Sequence, residues 1–191
     1  MFFTAFSLTT LIFGALGGAA SAKASTVVAR HTPVGSLAES LIDNVIRDKV
    51  SPVPGSILHC SLYGAEHTGV YVGNGKIINL CGNGSIMVCK PSQFIANSNA
   101  ISIYVACDKA TAKPLGSSKV ADRAKAMVGE NRSYNVLMDN CHQFTCGCIL
   151  GEYDNPHNFF WMVEDVISKH LNSGEKIDWR VWDLPTEALF E

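Results

Sequence analysis

The sequence predicts an α+β fold, an antiparallel β-meander packed on helices. Three observations carry that expectation. Between residues 56 and 107, short stretches rich in β-branched and aromatic residues alternate with Gly, Asn and Pro. Helix-period apolar patterns with capping residues lie on either side of that block rather than between its strands. The chain has 191 residues, enough for one domain with a real core and little more.

Taken in order, residues 2–22 carry no charge and are long enough to span a bilayer. Ala20-Ser21-Ala22 and Ala22-Lys23-Ala24 each look like a signal-peptidase site, yet no basic residue precedes the apolar run. The first positive charges, Lys23 and Arg30, follow it, which favours an uncleaved anchor with the domain on the cytoplasmic side. Export after cleavage is the alternative, and a buried core helix is the bland reading. Gly14 and Gly18 have the spacing that lets such anchors pack against each other, a weak sign of self-association. The expected division is an anchor or signal segment over 1–24, a linker over 25–35 and a domain over 36–191. That domain has its core at 53–150 and a helical extension over 152–191.

A helix is expected from the capping box Ser36 to Glu39, with Leu37, Leu41, Ile42, Val45 and Ile46 on one face, ended by Pro52 and Pro54. Strands are expected over 56–63, 67–73, 76–80, 85–90 and 101–107. Further helices are expected over 118–128, capped by Ser117 or Ser118 and stopped by Gly129, then from Asn140 to Gly151, and over 158–171. The stretch WRVWDL at 179–184 is too aromatic for a free tail and should pack.

Net charge is −2 and charged residues make up 17% of the chain, with no basic block, which argues against a nucleic-acid partner. Seven cysteines is an odd number, so a simple exported monomer would keep one thiol unpaired. Three of the seven lie in DNCHQFTCGC, residues 139–148. A zinc site there is disfavoured. Cys141, Cys146 and Cys148 would fall at i, i+5 and i+7 of one helix, and Cys146 would point away from the others. A disulfide between Cys146 and Cys148 is disfavoured by the same geometry. Bridges to Cys60, Cys81, Cys89 or Cys107 stay open. Nothing in the pattern calls for a metal or a cofactor.

Cys141 differs from the other two by position. With Asp139 or Asn140 as N-cap it falls in the first helical turn, where unpaired N–H groups and the helix dipole favour a thiolate. A nucleophile there needs a base, and six histidines compete: His31, His59, His67, His142, His157 and His170. His142 should point about 100° away from Cys141 on the helix, and His59 reads as an ordinary half-buried strand residue. His67 opens a strand that faces an orienting residue, Asn79. A two-residue Asn74-Gly75 turn would put His67 and Asn79 on opposite faces. A three-residue loop with a Gly75 bulge instead pairs residues summing to 148, making them diagonal neighbours about 7–8 Å apart. The three-residue loop is therefore expected. It leaves space over Gly69 and makes Thr68, Val70, Val72, Ile78 and Leu80 a core stripe.

The stretches GSILHCSLYGAEHTGVYVGNGKIINL and RAKAMVGENRSYNVLMDNCHQF together resemble the lecithin:retinol acyltransferase (LRAT)-like family, which are permuted papain-like proteins. The resemblance covers roughly residues 53–150. Its marks are the His of H-x-x-V-Y-V-G, a polar residue twelve positions later and N-C-x-x-F downstream; Gly129 and Tyr134 strengthen it. It implies an LRAT-like fold with Cys141 as nucleophile, His67 as general base and Asn79 in the orienting position. Asn79 departs from the second His usual in the animal enzymes, and Ala65 stands where a Tyr is frequent.

The resemblance further implies a phospholipase A- or acyltransferase-like enzyme acting on phospholipid acyl esters through a thioester on Cys141. A phospholipid or membrane surface would then be the partner, and the apolar N-terminus would hold the protein there. Two other readings use the same residues: a papain-like peptidase or amidase cutting cell-wall peptides or isopeptides, and a non-catalytic module in which Cys141 is merely buried.

Overall fold

The computed structural model describes residues 49–62, 65–96, 100, 102–133, 135, 140–185 and 188. The expected anchor or signal segment, the linker and the helix at 36–46 lie outside the described residues, as do Tyr63, Tyr134 and Asp139. Six strands form one antiparallel sheet: β1 (Ile57–Leu62), β2 (Ala65–Gly73), β3 (Lys76–Leu80), β4 (Ile86–Cys89), β5 (Tyr104–Asp108) and β6 (Ile177–Val181). Their order is β4-β3-β2-β1-β5-β6. The first four strands make the expected meander. After β4 the chain passes through a short helix, α1 (Pro91–Phe94), and adds β5 on the free side of β1. Sequence patterns did not show α1, because Pro91 reads as punctuation. Here it is the favoured first residue of a helix, where its missing N–H costs nothing.

Three longer helices follow: α2 (Ser118–Ala126), α3 (Cys141–Leu150) and α4 (Phe160–Leu171). The C-terminal extension is not wholly helical. After α4 the chain returns as β6, and the aromatic stretch expected to pack does so as an edge strand whose Trp179 pairs with Ala106. The physical reason is that β5 would otherwise present an open edge of unpaired backbone groups.

Strand alternation splits the core into two layers. Ile57, Val70, Ile78 and Leu80 pack with Phe144, Cys146 and Cys148 of α3 and with Val163, Val166 and Ile167 of α4. Leu58, Cys60, Ile77 and Val105 pack on the other side with Phe94, Ile103 and Trp182. Being covered on all sides, α3 is buried along nearly its whole length, from Cys141 through Ile149. It ends where Gly151 takes φ 87°, a left-handed value that suits glycine, and the guanidinium of Arg123 donates to the carbonyls of Cys148 and Ile149. Gly147 is required by a close approach, since a Cβ there would lie 2.5 Å from Tyr153 Cδ1.

Candidate active site

The start of α3 is fixed by Asn140. In an extended conformation, its Oδ1 accepts from the backbone N–H groups of His142 (3.0 Å) and Gln143 (3.2 Å). Its Nδ2 donates to the carbonyl of Asn158 at 2.8 Å, tying the helix start to the segment that leads into α4. Gln143 and Asn155 brace the same corner through reciprocal side-chain bonds to each other's backbone carbonyls. Cys141 is thereby held in the first helical turn, 4% exposed.

The β2–β3 hairpin corrects one expectation while keeping its consequence. The turn is Asn74-Gly75, with φ 53° and 67°, and Gly73 pairs with Lys76. This is a two-residue turn, not the expected three-residue loop, because two successive left-handed residues match the strand twist. A register shift between Tyr71 and Gly73 then moves the ladder by one residue, so that Tyr71 faces Ile77 and Val70 faces Ile78. These pairs sum to 148, the register that brings His67 and Asn79 to one face. The two side chains meet directly, Asn79 Nδ2 to His67 Nε2 at 2.9 Å.

Two details around this pair differ from expectation. The space over Gly69 is not open: a Cβ there would lie 2.9 Å from both Ile77 Cγ2 and Phe94 Cε2. Phe94 fills it and lies against the His67 ring, centroids 4.9 Å apart. The amide also presents its nitrogen, not its oxygen, to the ring, while Oδ1 accepts from the Cys89 thiol at 3.4 Å. With Nδ2 donating to Nε2, the ring proton sits on Nδ1. The amide turned by 180° accepts from Nε2–H and leaves Nδ1 free to take a proton.

The structure joins His67 to Asn79, and Cys141 to the residue beside His67. Thr68 is fully buried, and its backbone N–H and hydroxyl both pull the Cys141 thiol pKa down. The imidazole of His142 also approaches the Cys141 sulfur, with Nδ1 at 3.9 Å. The helical-wheel expectation that His142 points away therefore fails, because a first-turn side chain can fold back over the helix start. His142 also feels the charge of His67, and Cys60, the ladder partner of His67, feels that of Cys141.

Burial sets the protonation states. It raises the Cys141 thiol, against the opposing pull of Thr68 and of the N–H groups of Cys141 and His142. It lowers His67 to about 4 and, together with the charge of His67, lowers His142 to about 4. At neutral pH the site thus holds a thiol and neutral imidazoles, not an ion pair. His59 is more than the ordinary strand residue expected. It is buried in a box of Tyr104, Phe160 and Trp179, lowered to about 3 by burial and then by His142, and its Nδ1 has no hydrogen-bond partner.

A thiol in the first turn of a capped helix and a His–Asn pair on the sheet lie within an α+β protein built on a six-stranded antiparallel sheet. The family model described as lecithin retinol acyltransferase matches residues 92–154, a span that contains Cys141 but neither His67 nor Asn79. The human protein "Phospholipase A and acyltransferase 2" is 26% identical over 109 residues, covering 49% of this chain and 67% of that protein. The "Genome polyprotein" of avian encephalomyelitis virus (strain Van Reokel) is 26% identical over 108 residues, covering 56% of this chain and 5% of the polyprotein. Both matches support an LRAT-like family for this chain.

Proposed function

We propose that this protein is a thiol-dependent acyl hydrolase or acyltransferase acting on phospholipid acyl esters, with Cys141 as nucleophile, His67 as general base and Asn79 as its orienting partner. The observation that carries the reading is the 2.9 Å Asn79–His67 contact beside a strand residue, Thr68, that holds the Cys141 sulfur. The similarity to a human phospholipase A and acyltransferase supports the substrate class.

In the cycle, Asn79 Oδ1 accepts from His67 Nε2–H, which leaves Nδ1 as the base. Nδ1 takes the Cys141 proton as sulfur attacks the ester carbonyl. The lowered pKa of His67 suits this step, since the ring is neutral before it acts. The raised thiol means that the proton leaves during attack rather than beforehand. Asn140 already occupies the N–H groups of His142 and Gln143. The backbone N–H of Cys141 itself is therefore the helix-start donor for the tetrahedral oxyanion. Collapse breaks the carbonyl–oxygen bond, and the lyso-lipid alkoxide leaves with the proton from Nδ1. Water or another hydroxyl or amine acceptor then resolves the thioester.

Among the described residues, no helix is long and apolar enough to cross a membrane. Contact with lipid is assigned to two features: the uncharged stretch at 2–22, as an anchor or as a leader removed on export, and exposed Phe159 and Trp161 at the start of α4. The test is incubation with mixed phospholipids, with mass spectrometry of both lipids and protein. An acyl adduct on Cys141 is expected, with Cys141→Ala losing both adduct and turnover by at least ~10³-fold. Cleavage of cell-wall peptides with no lipid product would replace this reading with the peptidase one.

A further inference from the structure

The Cys141 sulfur adjoins a side-chain network that the cycle above leaves unused. Thr68 Oγ1 accepts from the Thr145 hydroxyl at 3.1 Å and lies 3.1 Å from His142 Nδ1. Thr68 and Thr145 are fully buried and His142 nearly so, so no water competes freely for these groups. A hydroxyl oxygen offers one proton and two lone pairs. Thr145 fills one lone pair. His142 fills the other when its proton is on Nδ1, which faces two acceptors, the Thr68 oxygen and the Cys141 sulfur. The Thr68 proton is then left for the sulfur, which lies 3.9 Å from the same Nδ1.

We propose that Thr68 is a further catalytic residue: its hydroxyl donates to the Cys141 sulfur and stabilises the thiolate, while Thr145 and His142 are positioning residues that aim that proton. The proposal rests on Cys141 being the nucleophile, as in the reading above. Among the described residues, the groups around the sulfur are Thr68 from β2, Cys60 from β1 and His142 from α3, none of them a carboxylate.

The test measures the rate at which iodoacetamide alkylates Cys141 in the full chain across about pH 7 to 12, with peptide mass mapping to separate it from the other thiols. Thr68→Val keeps the branched shape and the backbone N–H but removes the proton. Its alkylation midpoint is expected to rise by about one pH unit, with about tenfold slower reaction at neutral pH. Thr68→Ser should stay within about twofold of the parent, and Thr145→Val should slow reaction about threefold. A folded Thr68→Val protein with the parent midpoint overturns the proposal. If that variant does not fold, an unchanged midpoint in Thr145→Val overturns it instead. The assay needs no lipid, so a shifted midpoint in a protein that turns over no phospholipid upholds the thiolate donor while the lipid reading fails. Lipid turnover with an unshifted midpoint does the reverse.

Discussion

Cys141 and Cys146 lie on the same helix, five residues apart, and both are buried. Burial raises both thiols, Cys146 to about 12 with a further push from Cys148. They differ in what points at the sulfur. Cys141 sits in the first turn, where helix N–H groups have no carbonyl partners, beside a strand that supplies one more N–H and a hydroxyl. Cys146 sits one turn and a half further on, where every nearby N–H is committed to the helix and the neighbours are Val70, Ile78 and Phe144 in the same cluster. Burial by itself makes a thiol inert, and donors at a helix start offset it.

The largest expected effect tests which imidazole serves Cys141. His67→Gln should lower turnover by ~10²–10⁴-fold while Cys146 stays as unreactive as before. Retention of turnover within about tenfold would transfer the role of base to His142, whose Nδ1 lies 3.9 Å from the sulfur.

The next effect concerns His59, the imidazole counterpart of Cys146, buried without a partner for Nδ1. His59, His67 and His142 all have folded-state pKa values, about 3 to 4, below the ordinary 6.5. Below pH 6.5 the unfolded chain takes up protons that the folded chain refuses. Stability is therefore complete above that pH and falls as pH drops toward 4. His59→Phe keeps a ring against Tyr104 and Trp179 and removes one of the three protons. Denaturant titrations between about pH 6 and 4 should show a slope shallower by roughly 1.4 kcal/mol per pH unit. An unchanged slope would mean that His59 is already protonated in the folded state.

The smallest effect concerns Cys146 itself. Cys146→Ala should cost about 1 kcal/mol of stability through the lost packing, read as a lowered Tm, with turnover unchanged. A drop in turnover without a drop in Tm would make Cys146 part of the chemistry and end the contrast with Cys141.

Much of this architecture was readable from local pattern. Residues 76–80 form a strand as expected, Asn140 and Gly151 bound α3, and the 148 register follows from needing Val70 and Ile78 in the core. The legible features share a cause: each is set by neighbours within a few residues, through cap chemistry, turn residues or side-chain period. What was missed depends on distant partners. The bulge near Val72 replaces a longer loop, Phe94 arrives over Gly69 from a helix too short to show a period, and β6 joins the sheet from about seventy residues beyond β5. Thr68 carried no signal as a site residue, because a Thr on the core stripe of a strand reads as packing.

The sequence by itself determined that this is an α+β chain with a thiol at a helix start and a His–Asn pair on one hairpin face, because cap, turn and strand periods are local. Tertiary structure decided which groups touch the sulfur and how far burial moves each pKa. Those depend on contacts between β2 and α3, more than seventy residues apart, and on the exclusion of water from between them.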